Sequence, residues 1–251
     1  MRIFAVHGIT QSGKTTTIEN IIKQLKKRRY SVASIKDIHY EKFAIDQEGT
    51  NTHRHRMAGS ELVTARGYYE TDILFPKRLS VESILRFYTQ DYVVMEGVID
   101  TNAPKIITAH GTEEIDEKLD DTVFAISGRI SNELKQYKGI PVINPITDIE
   151  RLVDLIEEKV YEKLPEFPKE CCDVCGYNCR ELGIEILKGK AKREDCMIGH
   201  ENQNIKLFIN NQEIPMVPFV QKILYNAVIG VVTELDGYQK GGNLMVKVGE
   251  R

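Results

Sequence analysis

Ile3-Phe4-Ala5-Val6-His7 followed by Gly8-Ile9-Thr10-Gln11-Ser12-Gly13-Lys14-Thr15 is the stretch on which the reading of this chain turns. The second part is a G-x-x-x-x-G-K-[ST] phosphate-binding loop, and its flanks agree with that reading. A short apolar strand feeds the loop. The segment from Thr15 to Lys27 then carries Ile18, Ile21, Ile22 and Leu25 on one stripe of an amphipathic helix. Glycines let backbone N–H groups close around a polyphosphate, and the N-terminus of the following helix adds positive potential. On this reading Gly8, Ile9, Thr10, Gln11, Ser12, Gly13, Lys14, Thr15 and Thr16 are the nucleotide contacts. Lys14 reaches the outer phosphates, and the Thr15 hydroxyl sits on Mg²⁺. The expected ligand is a nucleoside triphosphate.

Working outward, the chain has 251 residues, 41% hydrophobic and 28% charged, the composition of a folded globular protein rather than a disordered or fibrous one. A net charge of −3 gives no reason to expect nucleic acid as a partner. No apolar run approaches a membrane span, and a chain that enters its first strand at once leaves no room for a signal peptide, so the expected location is the cytoplasm. Further apolar strands are predicted at Tyr30–Lys36, Asp91–Gly97, Lys105–Ala109, Thr122–Ser127 and Pro141–Asn144, with shorter ones at Leu62–Ala65 and Asp72–Phe75. Helices are predicted at Val81–Tyr88 and Ile149–Val160. Continuous apolar strands alternating with helices predict an α/β fold around a mainly parallel sheet covered on both faces.

Such a sheet binds its ligand at the carboxyl ends of the strands. That rule gathers Gly8–Thr15, Asp37, Glu96 and Ser127 around one crevice. Glu96 ends a strand where an acid can hold Mg²⁺ or its water, although a strand-end carboxylate can also stand in solvent. Lys14, Glu96 and Asp37 are the candidate catalytic groups, while Lys36 can face either solvent or phosphate. His53 and His55, two apart and flanked by arginines, do not share a helix face and make a poor metal pair. Arg54 and Arg56 read instead as an anion-binding surface. His7 is expected to pack beside the loop. Lys23, Lys26, Lys27, Arg28 and Arg29 read as a solvated helix C-terminus whose cations complement the dipole.

Several of these stretches, taken in order, resemble the MobB family, the accessory GTP-binding proteins of molybdopterin-guanine dinucleotide synthesis. They are the phosphate loop, Val32-Ala33-Ser34-Ile35-Lys36, Phe43-Ala44-Ile45-Asp46 with Gly49, His53-Arg54-His55-Arg56-Met57-Ala58-Gly59, Val94-Met95-Glu96-Gly97 and Pro104-Lys105-Ile106. The resemblance covers residues 1–160. It implies a slow GTPase-like subunit, often a homodimer, that assists the molybdopterin guanylyltransferase attaching GMP to molybdopterin or helps deliver the cofactor to molybdenum or tungsten enzymes. It also implies that Gly8, Ser12, Gly13, Lys14 and Thr15 hold phosphate and Mg²⁺, that Glu96 and Gly97 form the second acid site, and that Asp46, Arg54 and Lys105 belong to family-like motifs, with Arg54 and Lys105 as nucleotide contacts. The chain departs from the family in reading Lys36-Asp37-Ile38-His39-Tyr40 where a histidine-rich stretch is common. It also reads Gly49-Thr50-Asn51-Thr52 where Gly-Lys-Asp-[Ser/Thr] is common, losing a cation and a carboxylate. The guanine-reading Asn-Lys-x-Asp element is absent, so guanine preference rests on the resemblance.

All five cysteines lie between positions 171 and 196. From Cys172 the spacing is C-x2-C-x3-C-x16-C through Cys175, Cys179 and Cys196, with Cys171 left over or standing in for Cys172. In a reducing compartment such clustering points to metal rather than disulfides, and four thiolates suit a [4Fe–4S] cluster or zinc. The stretch resembles the small four-cysteine cluster domain of corrinoid iron–sulfur proteins, with one gap a residue shorter. Residues 201–251 read as a small α/β unit with a hairpin (Ile205–Ile209, Glu213–Met216), a helix (Val217–Leu235) and a closing strand (Leu244–Val248). The expected organisation is therefore a nucleotide-binding domain over 1–165, a four-cysteine module over 166–200 and a C-terminal unit over 201–251. Two other readings of the loop stay open. One is an ATP-dependent small-molecule kinase with Asp37 as general base, and the other is an ATPase that inserts metal or iron–sulfur clusters.

Overall fold

Alternation of side chains across β1 (Arg2–Gly8) puts Phe4 and Val6 on one face and Ile3 and Ala5 on the other, all buried, so this strand must be covered on both sides. The computed structural model describes residues 1–41, 43–165, 175–196, 205–209, 212–214, 216, 218–238 and 244–246. After β1 come α1 (Lys14–Lys27), β2 (Val32–Lys36), α2 (Asn51–Met57), β3 (Val63–Arg66), β4 (Thr71–Leu74), α3 (Val81–Leu85), β5 (Tyr92–Glu96), β6 (Lys105–Thr108), α4 (Thr112–Asp116), β7 (Val123–Ser127), β8 (Gln136–Tyr137), β9 (Ile140–Pro141) and α5 (Ile149–Lys159).

Five of these strands form one sheet in the order β2-β5-β1-β6-β7, and every neighbouring pair runs parallel. On one face Phe4, Val6, Tyr92, Val94 and Ile106 pack against Ile18, Ile21 and Leu25 of α1 and Leu152, Val153 and Ile156 of α5. On the other, Ile3, Ala5, Ile35, Val93 and Met95 pack with Leu85 of α3. The predicted α/β, mainly parallel architecture is the observed one. With β1 central, the loop that follows it opens at the carboxyl ends of the strands on both sides.

Several elements differ from expectation for local reasons. The predicted strand at Pro141–Asn144 is mostly not one. Pro141 ends a two-residue antiparallel ladder between β8 and β9, and the chain then touches the sheet through a parallel bridge between Val142 and Ile126. Helix α4 was not expected, because with Ile115 as its buried residue it is too short to show a periodicity. The two short predicted strands form as β3 and β4, and they pair as an antiparallel hairpin. In the basic cluster ending α1, Lys23, Lys26, Lys27 and Arg29 are exposed. Arg28 is half-buried: its guanidinium bonds Asp154 at 2.6 Å and Glu157 at 2.5 Å, tying α1 to α5.

By contacts the chain divides into two units, Met1–Lys163 with Gly183–Ala191, and the described residues of 164–182 and 192–251. The division falls within α6 (Cys179–Leu187). The second unit contains an antiparallel pair, β10 (Leu207–Ile209) and β11 (Gln212–Ile214), and α7 (Pro218–Val232), which leaves Phe219, Ile223 and Val231 exposed. Leu244 to Val246 form no strand, and Lys247 and Val248 of that prediction lie outside the described residues, as do Asn210 and Asn211 of the predicted turn. Among the described residues no helix is long and apolar enough to cross a membrane.

Candidate nucleotide site

The loop between β1 and α1 is held from behind by the ends of β6 and β7. Ser12, fully buried, donates its hydroxyl proton to Ile9 O at 2.8 Å, its Oγ lies 2.8 Å from Thr108 Oγ1, and its carbonyl accepts from Arg129 N at 3.1 Å. Gly13 (φ 102°) and Gly128 (φ 78°) face each other across this contact. A Cβ on Gly128 would stand 2.3 Å from Ser12 O, and one on Gly13 would stand 3.2 Å from Gly128 Cα. Both positions need glycine, for backbone conformation and for space. Gln11 also has positive φ, 62°, a left-handed residue stored in the loop. Thr108 and Gly128 were missed in the sequence. The available signal was positional: Thr108 ends β6, the neighbour of the strand that feeds the loop, and Gly128 directly follows β7, the next strand out.

Lys14 folds back over this cradle, its Nζ donating to Gly8 O at 2.9 Å and Ile9 O at 2.5 Å. Burial pulls its pKa below the usual lysine value; Glu96 works against that shift, while Lys36 and Lys118 add to it. Thr15, one residue on and exposed, donates its hydroxyl proton to Glu96 Oε1 at 3.3 Å. Glu96 stands at the end of β5 and also accepts an ion pair from Lys36 Nζ at 3.3 Å. The structure thus brings together the phosphate loop, Lys14, Thr15 and Glu96. Hydroxyl and carboxylate oxygens at this separation are the hard donors that suit Mg²⁺.

Asp37 lies beside them, its backbone N–H bonded to Glu96 O at 2.9 Å. Its carboxylate is occupied: Arg78 Nη2 donates to Oδ2 at 2.8 Å, and His39 Nε2 lies 3.9 Å from the same oxygen.

Other predicted groups stand elsewhere. Lys105 starts β6 and pairs in register with Ala5, three residues before Gly8. Its ammonium is nearly buried and bonds Asp120 Oδ2 at 2.9 Å rather than facing the loop. Burial pushes the Asp120 carboxyl up, but the Thr122 hydroxyl, Lys105 and the Thr122 N–H outweigh it and bring the pKa down to about 2. Ser127, expected in the crevice, is fully buried and donates to Ile143 O at 2.8 Å. Arg54 is exposed on α2, a helix with no buried residue. Asp46 accepts from Thr50 Oγ1 at 2.8 Å and Thr52 Oγ1 at 2.7 Å, closing the turn that caps α2. His7 packs beside the loop as expected. Its Nε2–H donates to Val98 O at 2.5 Å, and burial, with Lys105 nearby, lowers its pKa.

Of the cysteines, Cys175 and Cys179 are half-buried and Cys196 is buried, while Cys171 and Cys172 lie outside the described residues. Among the described residues no group of three or more His, Cys, Asp and Glu side chains is placed to hold a metal ion.

Comparison with known proteins matches residues 3–128 to the family model of molybdopterin guanine dinucleotide synthesis protein B, MobB. A protein of Methanocaldococcus jannaschii with the provisional name molybdopterin-guanine dinucleotide biosynthesis adapter protein is 29% identical, across 99% of this chain and 97% of that protein. The molybdopterin-guanine dinucleotide biosynthesis adapter protein of Haemophilus influenzae is 27% identical, across 62% of this chain and 87% of its own length. Among solved structures, Bacillus subtilis MobB superposes with a TM-score of 0.55 at 20% identity, covering 65% of this chain and all of that one, which establishes a shared fold.

Proposed function

The chain belongs to the MobB family, and from that premise we propose that it binds GTP with Mg²⁺ at the Gly8–Thr15 loop and acts as an adapter in molybdopterin guanine dinucleotide synthesis. The observation that carries the reading is the convergence of Lys14, Thr15 and Glu96 on one loop at the carboxyl ends of β1 and β5. Backbone N–H groups from Gly8 to Thr16 close on the phosphates, and Lys14 leaves Gly8 O and Ile9 O for the outer oxygens. Thr15 and Glu96 hold Mg²⁺, which supplies positive charge to the phosphates. Hydrolysis on this reading is slow, since Asp37 is engaged with Arg78 and is poorly placed to activate water.

The work we assign is assistance to the molybdopterin guanylyltransferase, or delivery of the finished cofactor to a molybdenum or tungsten enzyme, by a homodimer in the cytoplasm. Relatives named as adapters of this synthesis support that role. Cys172, Cys175, Cys179 and Cys196 remain our candidate ligands for a [4Fe–4S] cluster or zinc, on the chemistry of their thiolates. The archaeal relative matches through this region as well. Anaerobic purification followed by iron, sulfide and zinc analysis tests that assignment.

A competition titration tests the nucleotide reading. Fluorescent GTP bound with Mg²⁺ should be displaced by GTP and not by ATP at comparable concentration. Equal or stronger displacement by ATP overturns the guanine assignment in favour of an ATP-dependent kinase or metal-insertion ATPase.

A further inference from the structure

Lys36 stands out as a cation that none of the loop chemistry above requires. It ends β2, in register with Glu96 of β5, so the two side chains rise from the same face of the sheet. That is the face covered by α1, whose first turn carries Lys14 and Thr15. Glu96 Oε1 is the shared point: Thr15 Oγ1 lies 3.3 Å from it and Lys36 Nζ 3.3 Å from it. The Glu96 side chain is 13% exposed and the Lys36 side chain 57%, so the carboxylate is fixed while the ammonium sits on a long stem at the mouth of the site. Lys14 lies within electrostatic range of both.

From this arrangement the geometry points to Lys36 as a second phosphate-reading cation, one that holds Glu96 before nucleotide binds and passes to the terminal phosphate of a bound Mg²⁺–triphosphate. The inference rests on the proposed nucleotide site. A divalent cation held by Thr15 Oγ1 and Glu96 Oε1 would repel the Lys36 ammonium, which lies 3.3 Å from that same oxygen. The neighbouring carboxylate, Asp37, is engaged by Arg78 at 2.8 Å, so it offers little to a displaced ammonium. A terminal phosphate, carrying the highest charge of the ligand, is the partner that restores the ion pair. A diphosphate lacks that group, so Lys36 makes the site prefer triphosphate to diphosphate. It also competes with metal for Glu96 when only diphosphate is bound.

The test compares the full chain with Lys36→Met and Lys36→Arg, using mant-GDP and the non-hydrolysable mant-GppNHp over a range of MgCl₂. Lys36→Met should weaken mant-GppNHp by about tenfold or more, the loss of one charge-assisted hydrogen bond. It should leave mant-GDP nearly unchanged and lower the Mg²⁺ concentration needed to saturate the mant-GDP complex. Lys36→Arg should keep the wild-type preference. An unchanged triphosphate preference in Lys36→Met, an equal loss of both ligands or an unmoved Mg²⁺ midpoint overturns the inference while the nucleotide site stands. If the wild-type chain binds neither ligand better than Lys14→Ala does, the site itself is refuted and the inference with it.

Discussion

Asp120→Asn is the perturbation that separates the framework of this domain from its ligand site. Lys105 is buried, its side chain 9% exposed, and its ammonium meets Asp120 at 2.9 Å. Asn cannot carry the counter-charge, so the substitution leaves a cation stranded at the start of β6. Two routes give the magnitude. At 1.36 kcal/mol per pKa unit, the drop of the Asp120 carboxyl from 3.8 to about 2 corresponds to about 2 kcal/mol of folding stability. Breaking a buried pair by removing one partner costs about 3–5 kcal/mol. Because the Asp120 side chain is 31% exposed, the lower figure governs, and a loss of about 2–3 kcal/mol at neutral pH is expected. The sign follows from linkage. A carboxyl whose folded pKa is depressed contributes its full stability above the unfolded value of 3.8 and loses it as pH falls toward about 2. The gap between wild type and Asp120→Asn should therefore be constant from neutral pH down to about 4 and shrink below it. Urea denaturation across that range measures the gap, and titration with fluorescent GTP measures the site. Affinity should be unchanged. Lys105→Met, which fills the same space without charge, should cost far less than Asp120→Asn. A loss below about 0.5 kcal/mol, the level of an exposed pair, would refute the reasoning. So would weakened nucleotide binding at full stability, which would return Lys105 to the ligand site.

Four further outcomes are expected. Lys14→Ala should abolish triphosphate binding, read by the same titration, with stability within about 0.5 kcal/mol of wild type because the side chain bonds the loop carbonyls it leaves solvated. Gly128→Ala, with a Cβ 2.3 Å from Ser12 O at φ 78°, should destabilise by about 2–4 kcal/mol in urea and weaken nucleotide binding by displacing Ser12. In Glu96→Gln the Mg²⁺ concentration that half-saturates GTP binding should rise about tenfold or more; an unmoved midpoint would remove Glu96 from the metal site. Burial lowers the His7 pKa, so the unfolded chain binds more protons, and stability should be full above the ordinary value of 6.5 and decline as pH falls below it. Replacing His7 with Gln should flatten that part of the profile.

What was legible in the sequence was what a local pattern encodes. Buried parallel strands are apolar on both faces, so β1, β5, β6 and β7 announce themselves as continuous runs. Helix α5 shows because one stripe, Leu152, Val153 and Ile156, is buried along its middle. Helix α4 was invisible because five residues with one buried side chain hold no period. Pro141–Asn144 was over-read because an apolar run does not say which neighbour it will pair with. Lys105 entered as a nucleotide contact through the family resemblance, and only packing reveals its counter-ion fifteen positions away.

By itself the sequence determined the fold class and the position of the phosphate loop, because both are fixed by residues close together in the chain: an apolar strand, glycines, Lys14, Thr15 and an amphipathic helix. The tertiary structure decided which distant residues serve that loop. Thr108 and Gly128 brace it, Glu96 meets Thr15, and Lys36 reaches Glu96, while Arg78 occupies Asp37 and Asp120 removes Lys105. The physical reason is that strand order and register, rather than separation along the chain, set which side chains share one end and one face of a parallel sheet.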